Sequence, residues 1–68
     1  MLITIRLNGE QRSFEQDMNI SCLLRILKVP PKSVVVELNR EILLKNMFDH
    51  VKLQDGDKLE LIRIVEGG

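Results

Sequence analysis

The chain has 68 residues with ten basic and ten acidic side chains, so its formal net charge at pH 7 is zero. A chain of this length has room for one domain, and its balanced charge gives no field that would attract nucleic acid or an anionic membrane. The only cysteine, Cys22, can form neither an internal disulfide nor a zinc site, and the first residues lack the apolar run of a signal peptide. We therefore expect a soluble, cytoplasmic domain with an aliphatic core.

An amino-terminal β-hairpin is predicted by two features of the sequence. Apolar and polar residues alternate from Leu2 to Leu7, which is typical of a half-buried strand. Asn8-Gly9 then marks a tight turn, because both residues tolerate positive φ. A return strand is expected through residues 11–14, and its polar composition favours a position at the edge of a sheet.

A short helix is predicted after the hairpin. Its apolar residues share one helical stripe: Ile20, Leu23, Leu24 and Leu27. Asn19 is well placed as the N-cap, and Pro30-Pro31 is expected to end the helix. A helix of about 9 or 10 residues is not stable alone in water, so it should lie on a sheet.

The second half of the chain predicts further strands. Residues 33–38 form a mainly apolar run rich in β-branched valine, which is typical of a strand covered on both faces or at the centre of a sheet. Residues 42–43 are interpreted as a short strand and residues 46–49 as a helical turn. Asp55-Gly56-Asp57 is a turn signal, after which strand character returns over residues 58–65.

This order of elements favours an α+β fold. A mixed sheet of four or five strands, packed by one main helix, corresponds to the β-grasp or ubiquitin-like topology. We expect residues 1–68 to form a single domain with a flexible carboxyl-terminal tail at residues 66–68.

The side chains offer little chemistry of their own, which favours a carrier over an enzyme. Cys22 is interpreted as a small packing residue rather than a thiol that carries a persulfide, and His50 as a surface residue. Asp55 and Asp57 are interpreted as turn residues, because a calcium loop needs a longer array of ligands. We expect no catalytic residue and no metal site.

The carboxyl terminus is the main functional candidate. Three residues beyond the last strand reach about 10 Å when extended, and Gly67 and Gly68 can enter a narrow channel because they lack a Cβ. A terminal carboxylate has a pKa of about 3.3–3.7, so at neutral pH it is a poor electrophile that a partner must activate. The alternative is that the two glycines are an ordinary frayed chain end.

The last strand also suggests a docking surface. If Leu59 and Leu61 face the core, alternation places Ile62 and Ile64 on the opposite face, beside Val65 and the tail. Uncovered apolar side chains there would form a contact surface for a partner. The alternative is that a neighbouring loop covers them.

Two segments of the chain resemble the ThiS family of thiamine-biosynthesis sulfur carriers, which are small β-grasp proteins ending in two glycines. The first is Val34-Val35-Val36-Glu37-Leu38-Asn39 followed by Glu41-Ile42, and the second is Leu53-Gln54-Asp55-Gly56-Asp57-Lys58-Leu59-Glu60-Leu61 with the final Gly67-Gly68. The spacing between them fits without a gap, so the resemblance covers essentially the whole chain. Three positions depart from the family pattern: Arg40 stands where glycine is frequent, Leu44 where proline is frequent, and Phe48 where tryptophan is common.

The resemblance implies a specific chemistry at Gly68. A ThiF-like, E1-type enzyme would adenylate its carboxylate with ATP, a sulfur donor protein would supply sulfur for the thiocarboxylate, and a ThiG-like thiazole synthase would receive that sulfur. Glu66 and Gly67 would enter the partners' active sites, and the carrier itself would bind no cofactor.

Three alternatives stay open at this point. The chain could carry sulfur for another product, as the small subunit of molybdopterin synthase does. It could be a ubiquitin-like modifier joined through Gly68 to lysines of other proteins. It could also be an interaction module whose glycines have no chemical role.

Overall fold

The computed structural model describes residues 1–65. It opens with an antiparallel hairpin of strands β1 (Leu2–Leu7) and β2 (Glu10–Glu15). Asn8 and Gly9 have φ angles of 48° and 83°, as a two-residue turn that matches the strand twist requires. β2 lies at one edge of the sheet, so the predicted hairpin and its edge strand are confirmed.

The helix α1 spans Ile20–Ile26 and begins at the predicted cap. The side-chain oxygen of Asn19 accepts a hydrogen bond of 2.7 Å from the backbone N–H of Cys22. This bond satisfies one of the amide groups that have no partner within the first helical turn.

The helix is shorter than predicted, because it ends before the two prolines. Lys28 has a φ of 59°, its N–H donates to the carbonyl of Arg25, and the N–H of Val29 donates to the carbonyl of Leu24. These two bonds form a helix cap in which the left-handed position, here Lys28, is usually occupied by glycine. Pro30-Pro31 therefore follows a helix that has already ended.

Within the described part of the chain, the sheet has five strands in the order β2-β1-β5-β3-β4, where β3 is Val34–Leu38, β4 is Glu41–Leu43 and β5 is Lys58–Arg63. β5 occupies the centre, parallel to β1 and antiparallel to β3. This mixed sheet with one α-helix among residues 1–65 confirms the predicted β-grasp fold.

The prediction for the apolar run at residues 33–38 was wrong. β3 is not the central strand, and only one of its faces is covered: Val34 and Val36 are buried, whereas Val35 and Glu37 are partly exposed. Every second residue of a strand points away from the helix layer, and no second layer covers that side of the sheet in the described chain. We call this uncovered side the open face.

The connection from β3 to β5 contains the short elements that the sequence suggested. Asn39 and Arg40 form the turn from β3 to β4, and a 3₁₀ helix at Lys45–Met47 follows. Another 3₁₀ helix, Pro31–Ser33, precedes β3.

The core lies between α1 and the helix side of the sheet. Its side chains are all apolar: Ile3, Ile5, Leu7, Phe14, Ile20, Leu23, Leu24, Val34, Val36, Phe48, Leu53 and Leu59. Leu59 of the central strand is completely buried. Aliphatic packing therefore dominates, as the composition predicted.

Candidate functional site

The end of β5 determines where the chain leaves the sheet. Within the described residues, the last backbone hydrogen bond is the one that Ile64 N–H donates to the carbonyl of Ser33, at 2.8 Å. Val65 is 86% exposed. The predicted site residues Glu66, Gly67 and Gly68 lie outside the described residues.

β5 is held on both sides as far as Leu61, and on the β3 side as far as Ile64. It pairs with β1 through Arg6 and Leu7, and with β3 as far as the pair Val34 and Arg63. Where β1 ends, the side-chain oxygen of Asn8 accepts a 2.8 Å hydrogen bond from Leu61 N–H and so continues the pairing. A strand fixed in this way gives the following residues a defined starting point.

The residues predicted to form a docking surface lie at this end of β5. Leu59 is fully buried and Leu61 packs against the core, whereas Ile62, Ile64 and Val65 are 45%, 47% and 86% exposed. We call these three exposed residues the tail-base patch. The neighbouring loop at residues 30–33 borders Ile64 but does not cover it, and Ile62 is also left exposed.

Further apolar residues extend the tail-base patch across the open face. Val35 is the cross-strand partner of Ile62, and Ile42 on β4 is 68% exposed. Ile64 borders a shallow groove of about 390 Å³ together with Ile42 and Leu44. An exposed apolar area of this kind is characteristic of contact surfaces.

Charged residues flank the apolar area on the open face. Glu37 and Glu60 are direct cross-strand partners, an arrangement that is unfavourable for two like charges. Arg40 and Lys58 line the same depression of about 410 Å³ and supply compensating positive charge. The open face therefore combines an apolar area with a mixed-charge rim.

The carboxylates of the Asp55-Gly56-Asp57 turn bind the protein's own backbone. Asp55 Oδ1 accepts from Thr4 N–H at 2.8 Å, and Asp57 Oδ2 accepts from Gln54 N–H at 2.8 Å. Gly56 has a φ of 87°, which an L side chain adopts only with strain. The interpretation of these aspartates as turn residues is confirmed.

Asn39 connects this turn to the β3–β4 turn, a contact that sequence reasoning missed. Its Nδ2 donates to Asp57 Oδ1 at 3.0 Å, and its Oδ1 accepts from Lys58 N–H at 2.9 Å. Both segments that carry the family resemblance meet here, at the start of β5. The available signal was an asparagine directly after a strand, a residue type that tolerates positive φ and bonds to backbone groups.

The remaining candidate side chains form no second site. Cys22 is partly buried in α1 and His50 is exposed. Residues 1–65 contain no group of three or more His, Cys, Asp or Glu side chains placed to hold a metal ion. Across the same residues, no helix is both long enough and apolar enough to span a bilayer.

Comparisons with known proteins agree with this geometry. The ThiS family model matches residues 5–68. The sulfur carrier protein ThiS of Bacillus subtilis is 35% identical over 65 residues, which cover 94% of this chain and 98% of that protein. The crystal structure of the thiamine biosynthesis protein ThiS from Geobacter metallireducens superposes with a TM-score of 0.85 at 33% identity, covering 97% of this chain and 100% of that one.

Longer proteins also contain a similar region. A thiazole synthase of Paramagnetospirillum magneticum is 42% identical over 62 residues, which are 91% of this chain but 19% of that protein. This chain thus spans about a fifth of the length of the thiazole synthases that it matches.

The five-stranded mixed sheet with its single described helix, and the central strand that leads into the carboxyl-terminal residues, define a small β-grasp protein of the ubiquitin-like class. Within that class, the chain belongs to the ThiS family of thiamine-biosynthesis sulfur carriers.

Proposed function

We propose that this chain carries sulfur as a thiocarboxylate on Gly68 and delivers it for thiazole formation in thiamine biosynthesis. The observation that carries the proposal is the family match, which runs through Gly68 on a fold whose central strand leads directly into the tail. The exposure of Val65, just before residues 66–68, adds support.

The chemistry follows from the properties of a carboxylate. An oxygen of the Gly68 carboxylate attacks the α-phosphorus of ATP, pyrophosphate leaves, and the resulting acyl-adenylate carries a good leaving group. The terminal sulfur of a persulfide on a donor protein then attacks the carbonyl carbon, and AMP leaves, which gives an acyl disulfide. A thiol attacks the donor's sulfur in this S–S bond, so the donor departs as a disulfide with that thiol and the other sulfur stays on Gly68 as the thiocarboxylate.

The partners supply the catalysis in this scheme. A ThiF-like, E1-type enzyme binds ATP and adenylates Gly68, so the carrier itself needs no bound cofactor. Gly67 and Glu66 occupy the narrow channel that leads to the partner's active site, where the absence of a Cβ on glycine allows close approach.

A ThiG-like thiazole synthase is the proposed acceptor of the sulfur. The similarity to a region within longer thiazole synthases supports this partner. In those proteins, a region like this chain is covalently linked to the rest of the polypeptide. Such a linkage raises the effective concentration of one module near the other.

Mass spectrometry tests the proposal directly. The chain is incubated with ATP, a sulfur source and a ThiF-like enzyme, and we expect one oxygen of the Gly68 carboxylate to be replaced by sulfur. Deleting Gly68 should abolish this mass change without altering the circular dichroism spectrum. Conjugates to lysine would instead indicate a protein modifier, and an unchanged mass would refute the carrier function.

We also propose that the tail-base patch contacts the activating enzyme. Ile62 and Ile64 are about half exposed, so replacing both with Asp should weaken binding to the ThiF-like enzyme at least about tenfold, because apolar contact area is lost. The unfolding midpoint in urea should change little. Replacing exposed Ile26 on α1 with Asp is the matched control and should leave binding intact. Unfolding of the double variant, or unchanged binding, would refute the docking role.

A further inference from the structure

A second cleft lies on the helix side of the sheet, next to the end of β5. Its apolar floor includes the partly buried side chains of Leu27, Val29 and Leu61. Its rim carries Arg12 from β2 and Arg63 from the last position of β5. The volume is about 260 Å³, which suits one or two protein side chains better than a whole small-molecule ligand. We call this site the arginine cleft.

Both arginines are placed on the same side of the sheet as the helix. The guanidinium carbon of Arg12 lies 5.7 Å from the centroid of the Phe14 ring, within the range of a cation–π contact. Arg63 is two residues from Leu61 and therefore shares its face of β5. The two positive charges thus stand at the mouth of an apolar depression.

The electrostatics of the cleft indicate what it can bind. No acidic side chain lines it among residues 1–65, and the ion pair found in that part of the chain, between the Met1 amino group and Glu15, involves neither arginine. A guanidinium presents a planar set of donors that matches a carboxylate. The apolar floor favours an aliphatic group directly beside that carboxylate.

We propose that the arginine cleft is a second docking surface, which binds a partner segment where an acidic side chain stands next to an aliphatic one. The cleft lies on the face of β5 opposite Ile62, so it is distinct from the tail-base patch. A partner that holds the tail can therefore contact the chain on both faces of its central strand. The proposal does not depend on any chemistry at Gly68.

The test uses the whole chain and a defined peptide. The ¹⁵N-labelled protein is titrated with an acetylated, amidated peptide of alternating aspartate and leucine, and amide shifts are followed by NMR. We expect saturable shifts at Leu27, Val29, Leu61 and Arg63 that weaken with added salt. A peptide of alternating lysine and leucine, with the same apolar content, should cause no shifts at these residues.

Charge reversal at the rim provides the second arm of the test. The double variant R12E/R63E should bind the acidic peptide at least about tenfold more weakly, because two charge-assisted hydrogen bonds are lost. The double variant R25E/K52E makes the same change in net charge at exposed positions outside the cleft and should bind normally. Unperturbed amide positions elsewhere in the spectrum will show that each variant is folded.

Four results would overturn the proposal. They are the absence of shifts, shifts confined to Val35, Ile42 and Ile62 on the open face, shifts confined to the edge of β2, and equal weakening in both double variants. None of these results bears on sulfur loading of Gly68, so the failure of this proposal is distinguishable from failure of the carrier function.

Discussion

The turn between β3 and β4 shows how one residue can depart from a family pattern without altering the fold. Arg40 has a φ of 71°, in the left-handed region that favours glycine. Glycine would adopt this conformation without the strain that a Cβ introduces. The Arg40 side chain is exposed and forms no hydrogen bond with residues 1–65. Its charge lies near Glu37 and Glu60, but a charge pair at an exposed position contributes little to stability, so it offsets only a small part of the backbone strain.

Replacing Arg40 with glycine should therefore stabilise the protein. The left-handed conformation costs a residue with a Cβ about 1–2 kcal/mol, and glycine removes this cost. Glycine also gives the unfolded chain more conformational entropy, which offsets part of the gain in stability. We expect the free energy of unfolding to rise by about 1 kcal/mol, measured by urea denaturation. Arg40→Ala, which removes the guanidinium but keeps the Cβ, is the control; an equal gain there would assign the effect to the side chain's charge.

At the scale of elements, the positions of the turns could be predicted from the sequence, but which faces of the sheet are covered could not. Asn8-Gly9 and Asp55-Gly56-Asp57 were identified because few residue types tolerate positive φ. The apolar run of β3 led to a wrong prediction because Val35 on the open face and buried Val36 are the same residue type, so sequence alone does not distinguish them. The helix end was misplaced because Lys28 adopts a conformation that sequence rules assign to glycine.

Part of the candidate site could also be predicted from the sequence, and part could not. Exposure of Ile62 and Ile64 followed from strand alternation once Leu59 was assigned to the core. The arginine cleft could not be predicted, since Arg12 and Arg63 meet only through the order of the strands in the sheet.

The junction of β3, β4 and β5 provides a second prediction, opposite in sign to that for Arg40. Asn39 also has positive φ, at 52°, but its side chain bonds to Asp57 and to Lys58 N–H. Asn39→Gly relaxes the same kind of backbone strain while it removes both hydrogen bonds. We expect a net loss of about 1–2 kcal/mol in the free energy of unfolding, with the start of β5 showing faster amide exchange. A gain in stability, as predicted for Arg40→Gly, would show that the two bonds contribute little.

At the scale of the whole molecule, the strand that joins the two halves of the sheet is the last strand within residues 1–65. β5 separates the β1–β2 hairpin from the β3–β4 hairpin, and the bond between Asn8 and Leu61 spans 53 positions in the sequence. A domain this small buries only about 60% of the surface of its unfolded chain, so its stability margin is thin. The same central strand contributes the buried Leu59 to the core and leads into the carboxyl-terminal residues.

This double role predicts a sharp contrast between two residues of β5. Leu59 is fully buried, and Leu59→Ala should cost about 2–5 kcal/mol, a large part of the roughly 5–15 kcal/mol available to a small domain. Ile62 is 45% exposed on the open face, so Ile62→Ala should cost less than about 1 kcal/mol while it weakens binding to the ThiF-like enzyme. Urea denaturation and a binding assay on both variants separate these effects. Similar losses of stability in Leu59→Ala and Ile62→Ala would mean that the open face contributes to folding as much as the core does. The idea that the tail-base patch serves only to contact partners would then be wrong.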